Sequence, residues 1–205
     1  MIYELRIYTL KGGSTRELER RFGNNLDIRN KYSKMYGFWH TEIGQTNQIV
    51  HIWPYKNLRD RSDSRSGANR DESNRWPPGI AEFFERQEVE ILTAAPFMKP
   101  LEGKYGKVYE LITETFPPND VQNVLKSYGE AIPIREKIYP IAGIWYTDIG
   151  NQGRIRQIWV YKDWDHREQV MVALEKETAW PPQLPVDPIS RETRIMHPAA
   201  FSPLH

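Results

Sequence analysis

The chain contains no cysteine, which excludes disulfides, thiolate metal sites and cysteine nucleophiles together. Net charge is almost absent too, with 28 Lys and Arg against 27 Asp and Glu for a formal +1. Its bulk electrostatics therefore attract neither nucleic acid nor an anionic membrane. No apolar run approaches the ~20 residues of a membrane span. The opening residues, Met1-Ile2-Tyr3-Glu4-Leu5-Arg6, enter an alternating pattern at once, with neither a secretory signal nor an Arg/Ser-rich transit helix. A cytoplasmic protein without nucleic-acid partners or a membrane span is the expectation. HExxH, the P-loop, GxGxxG and GxSxG are all missing. The five histidines stand apart in sequence, so no metal site is expected.

Aromatic residues are plentiful, with seven Trp and eleven Tyr among 205 residues, and they carry the dominant regularity. Tyr3-Glu4-Leu5 recurs as Tyr109-Glu110-Leu111, an offset of 106 (109 − 3). The same offset carries Ile28-Arg29 onto Ile134-Arg135, Gly37 onto Gly143, and Trp39, Thr41, Ile43 and Gly44 onto Trp145, Thr147, Ile149 and Gly150. It also carries Ile52-Trp53 and Tyr55-Lys56 onto Ile158-Trp159 and Tyr161-Lys162. Trp76-Pro77-Pro78 then matches Trp180-Pro181-Pro182 at 104 (180 − 76). The chain is a tandem duplication, with copies over residues 1–101 and 106–205.

Each copy reads in the same order. A strand spans Met1 to Leu10, and Ser14 with Glu17 three positions on forms a capping box that opens a helix. Leu18, Phe22 and Leu26 share one face of that helix. A second strand from Phe38 to Ile43 and a third from Gln48 to Tyr55 flank the turn Gly44 to Asn47. A second helix starts near Asn57, and a last strand covers Glu88 to Thr93. In the second copy Asn119 is the cap and Gly150 to Gly153 the turn. The order βαββαβ is the ferredoxin-like unit of the α+β class, whose helices cover one sheet face and leave the other bare. Two such units bury their bare faces together, so an α/β-barrel of the dimeric type closed within one chain is expected. Between Leu58 and Arg75 the first copy is rich in Arg and Ser and lacks an apolar face, which reads as a solvated helix or frayed loop in preference to an anion-binding arm, because Asp and Glu nearly balance its Arg. The second copy has Val170, Val172, Ala173 and Leu174 there.

Tyr3 to Leu10, Gly37 to Gly44, Trp53 to Leu58 and the closing Pro-Phe-x-x-Pro-Leu pattern resemble the strands and turns of the NIPSNAP family, in both copies and over nearly the whole chain. The resemblance implies the dimeric α/β-barrel superfamily, which also holds small cofactor-free monooxygenases, isomerases and haem enzymes. It brings no catalytic residue set. Animal members of the family are associated with mitochondria. The polar Leu58–Arg75 stretch departs from the family pattern.

Strand alternation suggests a pocket. Placing Leu5, Ile7, Val50 and Ile52 under the helices sends Glu4, Arg6, Tyr8, His51, Trp53 and Tyr55 into the barrel, and on the second strand the set of Phe38, His40 and Glu42 is preferred there over the competing set of Trp39, Thr41 and Ile43. Glu110, Tyr146, Gln157, Trp159 and Tyr161 follow at the matching positions of the second copy. His40 and His51 are the candidates for proton abstraction, Arg6 for holding a carboxylate or enolate, and Trp53 and Trp159 for stacking. The expected ligand is a small aromatic or polyketide-like molecule, bound or transformed without a cofactor by a monooxygenase or isomerase. A non-catalytic ligand-binding or assembly module is the alternative. A haem-binding barrel is the third reading, since haem enzymes of the superfamily use an axial histidine and His166 and His197 are the residues available. Outer surfaces remain free for a homo-oligomer.

Overall fold

Alternating apolar residues form eight strands in the computed structural model, which describes residues 1–205. The first half runs β1 (Ile2–Leu10), α1 (Thr15–Asn24), α2 (Leu26–Asn30), β2 (Gly37–Ile43), β3 (Gln48–Tyr55), α3 (Leu58–Asn69) and β4 (Phe84–Ala94). The second runs β5 (Val108–Thr115), α4 (Val121–Ile138), β6 (Ile141–Ile149), β7 (Arg154–Tyr161), α5 (Trp164–Leu174) and β8 (Ser190–Pro198). Strand order around the sheet is β1-β3-β2-β8-β5-β7-β6-β4, closed into a barrel. Each half is an antiparallel sheet of ferredoxin-like order, and the two meet at the seams β2–β8 and β4–β6.

Inside the barrel the two bare sheet faces meet. Tyr3, Leu5, Ile7, Trp39, Val50, Ile52 and Leu92 pack there against Tyr109, Leu111, Trp145, Ile158, Val160 and Met196. This reverses the expected orientation. Leu5, Ile7, Val50 and Ile52 fill the lumen, and the face carrying Arg6, Tyr8, His51, Trp53 and Tyr55 turns to the helices. Alternation separates two faces of a strand without saying which is the lumen. The dry junction between two sheets takes the more apolar set, because helices cover the opposite face incompletely and leave room for polar groups.

The recurrence of Gly37 and Gly143 has a steric cause. A Cβ on Gly37 would lie 2.1 Å from Trp39 Cη2, and one on Gly143 2.4 Å from Trp145 Cη2. Each glycine gives way to the fully buried indole two residues on.

The expected caps differ in detail. Ser14 makes no side-chain capping bond. Glu17 instead pairs with Arg20 and Arg21, because two guanidinium groups within reach outcompete a backbone N–H. Asn119 lies in a short 3-10 turn, Pro118–Asp120, and α4 begins after it. Asn57 does cap α3, its side chain accepting from the Asp60 N–H at 3.0 Å. The Arg/Ser-rich segment is thus a helix, yet it buries only Ser64 and Ala68. Its counterpart α5 buries Val170 and Leu174.

Candidate functional site

Each half has a cavity between its sheet and its helices, and the repeat allows the two walls to be compared position by position. The first holds about 290 Å³. Its floor is Arg6 and Tyr8 from β1 with His51, Trp53 and Tyr55 from β3. The helices add Phe22, Arg29, Arg65 and Asn69, and the loop before β4 adds Trp76, Pro77, Pro78 and Ile80. The second is the same size and is lined by Ile112, Tyr128, Gln157, Trp159, Met171, Trp180, Pro181, Pro182, Arg191 and their neighbours.

Some features appear in both halves and belong to the frame. Glu4 is fully buried behind the first wall and holds Arg6, Arg61 and Arg65 at 2.9, 2.5 and 3.7 Å. Burial alone would raise its pKa; the field of those guanidinium groups outweighs this and holds the carboxyl below its ordinary value. In the second half Glu110 accepts hydrogen bonds from Arg167 and Tyr161. Arg29 lies 4.5 Å over the Trp53 ring and donates to Tyr55 Oη at 2.7 Å. Arg135 lies likewise 4.8 Å over Trp159. What recurs is a carboxylate that ties α3 or α5 to the sheet and an arginine clamped on a tryptophan.

Other positions differ between halves, and they set the character of each cavity. Arg6, His51, Arg65 and Phe22 of the first become Ile112, Gln157, Met171 and Tyr128 of the second. Tyr8 becomes Glu114, which accepts from Tyr128 and Gln157. The first wall therefore holds three arginines and no carboxylate, whereas the second holds one arginine, Arg191, and one carboxylate, Glu175.

Three donors at the first wall have capacity left. Arg29 Nη1 is buried without a partner. Arg65 makes only its long contact to Glu4; burial and then the nearby Arg6 charge lower its pKa. His51 is 2 % exposed, with Nδ1 accepting from Trp53 Nε1–H at 2.7 Å and Nε2 buried without a partner. An indole only donates, so neutral His51 carries its hydrogen on Nε2. Burial first, then the charges of Arg6, Arg65 and Arg29, push its pKa well below 6.5. His51 is thus placed as a hydrogen-bond donor, and neither nitrogen offers the lone pair that proton abstraction requires.

Several other candidates lie elsewhere. His40 is outside the cavity, with Nδ1 2.7 Å from Glu19 on α1. Tyr146 sits on the β4–β6 seam opposite Thr93. Glu4 and Glu110 stand behind the cavity walls. Gln157 and Trp159 line the second cavity, separate from the first-half set. Sequence reasoning did not assign Arg29, Arg65 or Trp76 to the site, although Ile28-Arg29 and Trp76-Pro77-Pro78 were visible as repeat marks. The two histidines considered for haem lie apart from both cavities. His166 faces neither cavity, its Nδ1 accepting from the Lys162 N–H, and the groove at His197 is bordered by Lys104, Lys107 and Lys162. No helix is long and apolar enough to cross a membrane.

Comparison with known proteins places the chain. The NIPSNAP sequence profile matches residues 3–99 and 109–203, one match per half. Protein NipSnap homolog 3B of Mus musculus is 29% identical over 223 residues, covering 98% of this chain and 85% of that protein. A Protein NipSnap homolog of Dictyostelium discoideum is 26% identical over 184 residues, covering 87% and 78%. A crystal structure from Lactobacillus acidophilus NCFM, provisionally named a monooxygenase, superposes over 97% of this chain and 93% of its own with a TM-score of 0.66. At 12% identity that likeness concerns the fold alone.

Proposed function

The chain belongs to the NIPSNAP family, and from that premise we propose that its first-half cavity binds a small planar organic anion, an aromatic carboxylate or an enolate of polyketide-like shape. The observation that supports this reading is that Arg6, Arg29, Arg65 and His51 line one partly aromatic space with no carboxylate among its lining residues, while Arg29 Nη1 and His51 Nε2 are buried without a protein partner. Trp53, Trp76 and Phe22 supply flat surfaces for an aromatic body. The cations and the His51 hydrogen supply the charge that an oxyanion needs when water is excluded.

The same donors favour an enolate or phenolate over its protonated form. That is the contribution a cofactor-free isomerase or monooxygenase would draw from this pocket. No side chain in the wall is positioned as a free base, so the ligand enters as the anion or gives its proton to solvent. A purely binding role uses the same geometry and differs only in lacking turnover.

Binding is tested by fluorescence titration with salicylate and its uncharged analogue salicylamide. Salicylate is expected to bind, and Arg65→Met, which installs the residue of the second half, to weaken it about 10- to 100-fold, as loss of a charged hydrogen bond does. Salicylamide should be insensitive to that change. Equal affinity for both probes, or no effect of Arg65→Met on salicylate, would remove the anion reading. Deuterium incorporation at the benzylic carbon of phenylpyruvate in D2O, faster with the protein than without it, separates turnover from binding alone.

A further inference from the structure

β8 pairs with β2 in a register that sets His197 directly opposite His40, one histidine from each half of the chain. The two ring centroids are 5.9 Å apart with an interplanar angle of 44°. Each ring is held at the same nitrogen. His40 Nδ1 lies 2.7 Å from Glu19 Oε1, and His197 Nδ1 lies 2.8 Å from the backbone oxygen of Lys107. A carboxylate and a carbonyl only accept, so Nδ1 is the protonated nitrogen of both neutral rings. The lone pair of each is then on Nε2, and neither Nε2 has a protein partner.

Imidazoles that bind metals are held in this way, with the outer N–H on a carboxylate or carbonyl and the inner nitrogen free. We infer that the β2–β8 seam carries a two-histidine site for a late divalent transition metal, Cu(II) ahead of Ni(II) and Zn(II), with water completing the coordination shell. An ion roughly 2.0–2.1 Å from both Nε2 atoms puts the ring centroids about 4.5 Å apart at a right-angled nitrogen–metal–nitrogen arrangement and about 5.2 Å apart at a tetrahedral one, so binding closes the 5.9 Å separation seen here by about 1 Å. Cu(II) leads because nitrogen sites follow the Irving–Williams order.

The duplication shows that the fold does not itself require this pair. The second seam, β4–β6, has Thr93 opposite Tyr146 at the corresponding positions. Only one of two equivalent seams therefore has ligands. No group of three or more His, Cys, Asp or Glu is placed to hold an ion anywhere in the molecule, so two side chains make up the protein's share. Local charge is mixed. Glu19 and Glu42 act on His40, while Lys104, Lys107 and Lys162 border the groove beside His197. Those lysines oppose a cation, which limits affinity and favours the strongest binder of the series. With one ligand from each half, a bound ion would clasp the seam.

The test uses the full chain, purified without a histidine tag, stripped with chelator and titrated with Cu(II) at pH 8 by calorimetry and electron paramagnetic resonance. His40→Tyr and His197→Thr are the informative variants, since the other seam already carries Tyr and Thr in this pairing and the barrel accommodates them. Wild type is expected to take up one ion with a spectrum of two imidazole nitrogens. Each variant should lose at least about tenfold in affinity and one nitrogen from the spectrum, while His166→Asn stays at the wild-type value. A lack of saturable uptake would overturn the proposal. So would affinity and spectrum unchanged in both seam variants.

Discussion

Trp53 has only a hydrogen to offer, and His51 Nδ1 accepts it, so the protonation of one buried imidazole is set by its neighbour two residues along the strand. This has a consequence for stability. His51 in the folded chain is held well below 6.5, chiefly by burial and next by Arg6, Arg65 and Arg29, while in the unfolded chain it titrates near the ordinary value. Below that value the unfolded state binds a proton that the folded state does not. The contribution is therefore complete above about pH 6.5 and declines as pH falls, by up to about 1.4 kcal/mol per unit. His40 has the opposite sign, because its hydrogen bond to Glu19 raises its pKa. Its contribution is present below the unfolded pKa and is lost as pH rises through the folded one. Replacing His51 with Gln, as in the second half, isolates the first effect. Thermal midpoints measured from pH 7 to pH 5 should fall more steeply for wild type than for His51→Gln; parallel curves would contradict the assignment.

At the scale of elements, α3 and α5 occupy equivalent positions and are attached by different physics. Val170 and Leu174 anchor α5 through apolar burial, about 1.5–3 kcal/mol for each side chain. Helix α3 buries no large apolar residue and is held by Arg61 and Arg65 on the carboxylate of Glu4. Glu4→Gln leaves three guanidinium groups without their counter-charge. The expected cost is about 3–5 kcal/mol, as for a broken buried ion pair. Hydrogen exchange should show protection lost over residues 58–69 and kept over 164–174; unchanged protection of α3 would show that something other than Glu4 holds it. The glycine at the start of β2 gives a second prediction. Gly37→Ala drives a methyl group into the Trp39 indole, and urea unfolding should report a loss of about 1–3 kcal/mol, the usual range for overpacking. A neutral result would mean that the indole can move.

For the whole molecule, the central core is a joint product of both halves, with Trp39 packed on Tyr109 and Tyr3 on Trp145. Neither half can bury that face alone. Residues 1–104 expressed by themselves should therefore self-associate into a two-chain barrel, detectable by sedimentation as a dimer. A folded monomer would contradict the shared core. The duplication, the eight strands, the βαββαβ order and the closed barrel follow from the sequence alone, because alternation and turn residues are local and the repeat doubles every signal. The grouping of Arg6, Tyr8, His51, Trp53 and Tyr55 on one face follows from alternation as well. Which side that face takes did not, since the lumen is defined only when two sheets meet and the more apolar face claims the dry contact. Arg29 and Arg65 join the site through helices whose docking is set by a buried carboxylate and not by hydrophobic periodicity. His40 and His197 stand far apart in sequence and become neighbours only when β8 closes on β2, a pairing decided by the barrel as a whole.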